Sequence, residues 1–350
     1  MKKLYAIFVC LLFFGTMLVA SAVVVAPKPE KPGKPGGGGG GGPEPTGTIF
    51  FKYNDGTDYS IWTMNADGSS ITKQILIDTG VQSLSKLKHG NHYWYIGFAT
   101  VDGTYPDGFQ HYELFAVRDD SNIPVQLTND ATLSISNEWV EPVWGPEDGS
   151  ISWIAKRFTG DEVTEAGIYT AATTFNGNGD LTSIGTISLL WECDLKYNSA
   201  YDMYHPTINY FRWSPDGDKL VVQYENHIYI ADLTANTETF LTNGYIPKWS
   251  PDGSKILYED LIGIYTINID GSGVKTIIEF SNSQGWQHTP RDVIWSPDGN
   301  FISYTKMVSA YTNRLRCKTY IYIVGADGSG NECLTNGLTA DNWKSNMDWR

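Results

Sequence analysis

From residue 47 onward the chain is built of short runs in which apolar and polar positions alternate. Residues 219–224 (KLVVQY), 255–258 (KILY) and 301–304 (FISY) are such runs. A second run follows each of them: 227–233 (HIYIADL), 263–269 (GIYTINI) and 320–326 (YIYIVGA). A period of two, with Val, Ile, Tyr and Thr inside the runs and Gly, Pro, Asp and Asn between them, predicts strands joined by tight turns. No long segment of this body carries the 3.6-residue period of an amphipathic helix.

The turns repeat as well. Residues 211–217 read FRWSPDG, 247–253 PKWSPDG and 293–299 VIWSPDG, while 142–149 (PVWGPEDG) is a degenerate copy. DGSG follows the second run at 270–273 and 327–330, with DGSS at 67–70. Leu-Thr-Asn closes a unit at 127–129, 241–243 and 334–336. Each unit thus holds four strands, and recurrence of four-strand units at this spacing predicts a β-propeller. Six units account for the body at about 51 residues each. The first lacks its own WSPDG strand, but the chain ends in Asn346-Met347-Asp348-Trp349-Arg350, such a strand cut off after its Trp. The expected fold is all-β: a six-bladed propeller of four antiparallel strands per blade, closed by the C-terminal strand joining the N-terminal blade.

These repeats resemble the WD40-like PD40 repeats of TolB-type propellers. The resemblance covers most of 47–350 and is strongest in units four to six. It implies a six-bladed propeller, often a scaffold for protein contacts in the cell envelope. The amino-terminal α/β domain that accompanies the propeller in TolB is not seen in this sequence, so TolB's partners are not carried over.

Within the repeats, Asp216, Asp252 and Asp298 read as turn residues. Pro presets φ, Asp bonds its own backbone, and Gly takes the φ > 0 position. Trp144, Trp213, Trp249, Trp295 and Trp349 are expected to pack between blades. WSPDG and DGSG turns share one face of the ring. The opposite face carries the second-to-third loops and the links between blades: 100–111, 157–167, 193–207, 280–290, 306–318 and 336–346. Loop variation on a rigid scaffold is where binding usually resides. The candidate binding residues there are Tyr105, Phe109, His111, Tyr204, His205, Trp286, His288, Tyr311 and Trp343, with Tyr201, Asp161, Glu162 and Asp202 nearby in sequence. Such aromatics stack on sugars or anchor a protein partner.

Catalytic signatures are absent from the sequence: no G-x-S-x-G elbow, H-E-x-x-H helix or P-loop. His205 and His288 precede Trp213 and Trp295 by similar spacings, which places both on the long-loop face. Spacing supplies no third metal ligand, so neither metal nor cofactor is assigned. Residues 176–180 (NGNGD) lack the Gly and twelfth-position acid of a calcium loop. Pairing across the 327–330 turn puts Cys333 near Tyr322, some five residues from Cys317. At about 3.3 Å per residue that exceeds the reach of a disulfide, and none is assigned.

Ahead of the body, Lys2 and Lys3 precede an apolar run and Ala20-Ser21-Ala22, the pattern of a signal peptide over 1–22. The alternative is an uncleaved segment serving as a membrane tether. Residues 23–46, rich in Pro and Gly, form a spacer, and 47–350 is the propeller. Composition agrees: 13% aromatics with only 18% charged residues excludes a disordered chain or a coiled coil. The net charge of -14 excludes nucleic acid as a partner. Setting aside the five Lys and two Glu of residues 1–46 leaves 20 basic and 37 acidic residues, a net of -17 for the body. The expectation is a monomeric, secreted, periplasmic or cell-surface propeller that binds a protein or glycan through its long-loop face without catalysis. The competing expectation is a lyase-like, polysaccharide-active enzyme with a metal or His/carboxylate site on the same face.

Overall fold

The computed structural model describes residues 44–54, 59–77, 84–89, 92–100, 112–121, 124–130, 132–135, 142–146, 149–159, 162–198, 203–280, 292–309, 317–335 and 344–349. The expected signal segment and most of the spacer lie outside them. Blade one holds β1 (Thr48–Asn54), β2 (Tyr59–Asn65) and β3 (Thr72–Ile77). Blade two holds β4 (Leu84–His89), β5 (His92–Thr100), β6 (Tyr112–Arg118) and β7 (Val125–Gln126). Blade three is the irregular one. Its first strand is split into β8 (Leu133–Ser134) and β9 (Val143–Trp144), both paired with β10 (Ser150–Thr159). Beyond lies β11 (Glu162–Phe175), whose outer edge takes β12 (Leu181–Ile184) and β13 (Ser188–Glu192). A separate two-stranded hairpin, β14 (Leu195–Asn198) and β15 (Met203–Pro206), leads into blade four.

Blades four to six are regular. Blade four is β16 (Ile208–Trp213), β17 (Lys219–Tyr224), β18 (His227–Asp232) and β19 (Thr237–Asn243). Blade five is β20 (Tyr245–Trp249), β21 (Lys255–Glu259), β22 (Gly263–Asn268) and β23 (Lys275–Glu279). Blade six is β24 (Val293–Trp295), β25 (Phe301–Ser309), β26 (Cys317–Gly325) and β27 (Glu332–Cys333). The last strand, β28 (Lys344–Trp349), pairs antiparallel with β1, Ile49 opposite Trp349 and Tyr53 opposite Lys344. The sheet order is β28-β1-β2-β3, so the C-terminal segment supplies the first strand of blade one.

Burial explains the strand patterns. Leu220 to Gln223 in β17 are all buried, because a second strand is covered by neighbouring blades on both faces. In β19 only Leu241 is buried, as expected of an outermost strand. Six hydrophobic clusters occur among the described residues, and each is shared by two neighbouring blades. Phe50 and Ile61 of blade one meet Tyr95 of blade two. Trp94 and Leu114 meet Trp153 and Tyr169, and Ile154 and Ile168 meet Phe211 and Leu220. Val221 and Ile228 meet Ile256 and Tyr258, and Leu257 and Ile264 meet Ile302 and Tyr304. Ile294 and Ile321 of blade six meet Phe51, Met64 and Met347 of blade one. The core is therefore a cycle of inter-blade seams.

Trp144, Trp213, Trp249 and Trp295 lie at these seams. Trp213 Nε1 donates to Ser152 Oγ of blade three at 3.3 Å, and Trp249 Nε1 to the Arg212 carbonyl of blade four at 3.2 Å. The Leu-Thr-Asn closures also have a structural role. Buried Thr128 and Thr335 accept the N–H groups of Leu114 and Ile321 through Oγ1, tying the last strand of the blade to the third.

Three segments expected as irregular loops are partly β-hairpins. β10 and β11 stay paired out to Thr159 and Glu162, so most of 157–167 is ladder. β25 and β26 stay paired to Ser309 and Cys317 within 306–318. Residues 193–207 contain the β14–β15 hairpin. Strand-favouring residues meet across these extensions, Val163 opposite Phe158 and Thr319 opposite Met307, and favour continued pairing beyond the blade.

Candidate functional site

The turn face is built by a lock repeated three times. Buried Ser250 donates Oγ to Asp252 Oδ1 at 2.6 Å and accepts the Lys255 N–H at 2.9 Å. Ser214 with Asp216 and Lys219, and Ser296 with Asp298 and Phe301, make the same bonds. These donors hold the carboxylates below their ordinary range. For Asp252 the Ser250 hydroxyl contributes most, and the value falls from 3.8 to about 2. The other turn is capped likewise: Asp270 accepts the N–H and hydroxyl of Ser272, and Asp327 those of Ser329. The acids of these five turns are thus occupied by their own turns.

The opposite face carries the long connections, and all three hairpin extensions lie at that end of their blades. Of the candidate residues, Tyr204 and His205 sit in β15, opposite Tyr197 and Lys196. Tyr105, Phe109, His111, Trp286, His288, Tyr311 and Trp343 lie outside the described residues, as do Tyr201, Asp161 and Asp202. Glu162 is exposed at the start of β11. Among the described residues no group of three or more His, Cys, Asp or Glu side chains is arranged to hold a metal ion. Cys193 is a free thiol. Cys333 stands opposite Tyr322, the register expected from the turn.

One feature of this end was not among the candidates. Where blade three gives way to blade four, an open cleft of about 570 Å³ is lined by Trp191, Glu192, Asp194, Tyr224, Tyr229 and Glu238, with Cys193 and Thr207 completing it. Trp191 is held there by the pairing of β13 on β11, opposite Ile168. That approach requires Gly167, because a Cβ there would lie 2.0 Å from the Trp191 carbonyl oxygen. Cys193 N–H extends the pairing to the Ala166 carbonyl, and Thr207 N–H bonds the Asp194 carbonyl to close the base of the β14–β15 hairpin.

The far wall is a variation on the repeat. In blades five and six, a second-strand Tyr stacks on a third-strand Tyr: Tyr258 on Tyr265 at 5.5 Å and 27°, Tyr304 on Tyr322 at 5.3 Å and 17°. In blade four the position opposite Tyr229 is Val222, and Tyr224, two residues further along, meets Tyr229 diagonally and edge to face, at 5.4 Å and 85°. The Tyr224 hydroxyl donates to Glu238 Oε1 at 2.6 Å, and burial, aided by that carboxylate, pushes its pKa up strongly. Sequence holds one pointer to the cleft: Trp191 lies outside every WSPDG position, directly before the 193–207 connection.

No family model matches the chain, and no curated protein matches it. Among solved structures the chain is similar to TolB from Acinetobacter baumannii, at 14% identity and a TM-score of 0.48. That likeness covers 81% of this chain and 62% of the other, so the chain spans less than two thirds of that protein. It is similar to putative TolB from Agrobacterium tumefaciens at 15% identity and a TM-score of 0.49, over 88% and 99% of the two chains. It is also similar to an oligogalacturonate lyase in complex with manganese, at 13% identity and a TM-score of 0.39, over 75% and 72%. The propeller assignment rests on the strand order and register described above.

Proposed function

We propose that the chain is an exported, monomeric and non-catalytic propeller that binds a protein or glycan through its long-loop face. Residues 1–22 would direct export or remain as a tether. Residues 23–46 would give the ring reach from the envelope, placing it in the periplasm, at the cell surface or outside the cell. The observation that carries this reading is the inequality of the two faces. On one, the WSPDG and DGSG acids are consumed by their own turns. On the other, hairpins extend past the blades, and the sequence of the connections is rich in aromatic residues. A net charge of -17 on the body favours partners that are neutral or basic at the contact.

The test is a glycan array and an affinity pull-down with residues 47–350 as bait, alongside metal analysis of the purified protein. A partner or glycan retained on a metal-free protein supports the reading. Stoichiometric metal whose removal abolishes polysaccharide cleavage would replace it with the lyase-like reading, and failure of both captures would remove its support.

A further inference from the structure

The cleft between blades three and four goes beyond that reading, because none of its residues belongs to the long-loop aromatics assigned above. Its lining combines three aromatic side chains, Trp191, Tyr224 and Tyr229, with three carboxylates, Glu192, Asp194 and Glu238. No Lys or Arg is among the residues that line it. The nearest cation along the strands, Lys196, is paired with Glu225 instead. Cys193 adds no charge, since burial pushes its thiol up and keeps it protonated. The Tyr224 hydroxyl is already committed to Glu238.

We propose that this cleft binds an organic cation, a guanidinium or alkylammonium group. An anion would meet three uncompensated carboxylates. A neutral sugar would find ring faces but leave the charge unused. A cation uses both, because aromatic faces attract it and carboxylates give it charge-assisted hydrogen bonds. The local design agrees. In the two regular blades that follow, the third-strand Tyr is covered by a stacked Tyr directly opposite, whereas in blade four that opposite position is Val222, so Tyr229 meets only the edge of the diagonal Tyr224, and Trp191 joins both in lining the cleft. The group arrives either as a free small molecule or as an Arg or Lys side chain of a partner.

Fluorine NMR of the full body labelled with fluorotryptophan tests this, the Trp191 signal being assigned by its loss in Trp191→Phe. Arginine amide is the probe, and citrulline amide, the neutral isostere, is the control. The expected result is a saturable shift of the Trp191 signal with arginine amide, weakened by salt and at least several-fold smaller with citrulline amide. Glu238→Gln keeps an acceptor for Tyr224, and it is expected to weaken the response about threefold to tenfold while leaving the other Trp signals in place. A short peptide carrying one Arg separates the two sources: tighter binding than the amide assigns the group to a protein partner, equal binding to a small molecule. No shift of the Trp191 signal, or equal shifts with arginine and citrulline amides, overturns the proposal. Neither result depends on whether the long-loop face has found its partner.

Discussion

Asp292 Oδ2 accepts the backbone N–H of Met347 at 3.1 Å, across the seam between blade six and the C-terminal strand of blade one. Both residues are buried, at 6% and 5% exposure, so water does not replace the bond if the carboxylate is removed. Asp292→Ala is predicted to destabilise the protein by about 1–3 kcal/mol, the penalty of a buried donor left without its acceptor. Asp292→Asn keeps an acceptor oxygen and is predicted to lose less. Urea denaturation, with an unchanged slope across the three proteins, checks both values.

We propose that β28 is the clasp of the ring. Deleting 346–350 removes Met347 from the cluster it shares with Ile294, Ile321 and Phe51, and strips β1 of most of its partner strand. The melting midpoint is predicted to fall by about 5 °C or more. An unchanged melt would mean that β28 pairs without holding the ring.

Two turn glycines separate backbone strain from packing. Gly217 has φ of +81° and Gly253 of +71°, so Ala at either position is strained by about 1 kcal/mol. At Gly217 an added Cβ would also lie 2.7 Å from Pro146 Cγ of the preceding blade, while at Gly253 the nearest atom, Pro215 Cδ, is 3.7 Å away. Gly253→Ala is therefore predicted to cost about 1 kcal/mol and Gly217→Ala about twice that or more. Equal midpoints in denaturant would contradict stacking of neighbouring turns at this seam.

The serine-locked acids set the acid limb of stability. Asp216, Asp252 and Asp298 all have depressed values in the folded chain, chiefly through the Ser hydroxyl bonded to each. A depressed carboxylate stabilises the fold above its unfolded value and loses that contribution as pH falls through its folded value. For Asp252 the window runs from 3.8 down to about 2. Melts recorded against pH are predicted to be level above about pH 5 and to fall through that window. The gap between the native chain and Asp252→Asn is predicted to be widest above the window and to close near its lower end. A constant gap would contradict the lock.

Much of this fold was legible because its signals are local. WSPDG encodes a turn within five residues, and Trp213, Trp249 and Trp295 mark blades four to six without any long-range information. The pairing of β28 with β1 had a local signal too, since Met347 to Trp349 resemble the start of that motif. Blade three was not, because a broken first strand and a broken outer strand leave no uniform spacing. The hairpin extensions were hidden because β-branched residues in a connection continue pairing only when the opposite side of the connection also favours it. The cleft is tertiary throughout: Trp191 and Glu238 belong to different blades, and nothing in either local sequence names the other. Of the candidate residues, Tyr204 and His205 fall in β15, in the connection whose ends line that cleft.

The claim that the long-loop face is the binding face is tested most directly by face-resolved photo-crosslinking. A benzoylphenylalanine at position 286 or 343 probes that face, and one at 270 or 327 probes the turn face, where Asp270 and Asp327 are held by their own serines. With envelope extract or the pulled-down partner, adducts are predicted from 286 or 343 and none from 270 or 327. Adducts confined to 270 and 327 would contradict the account.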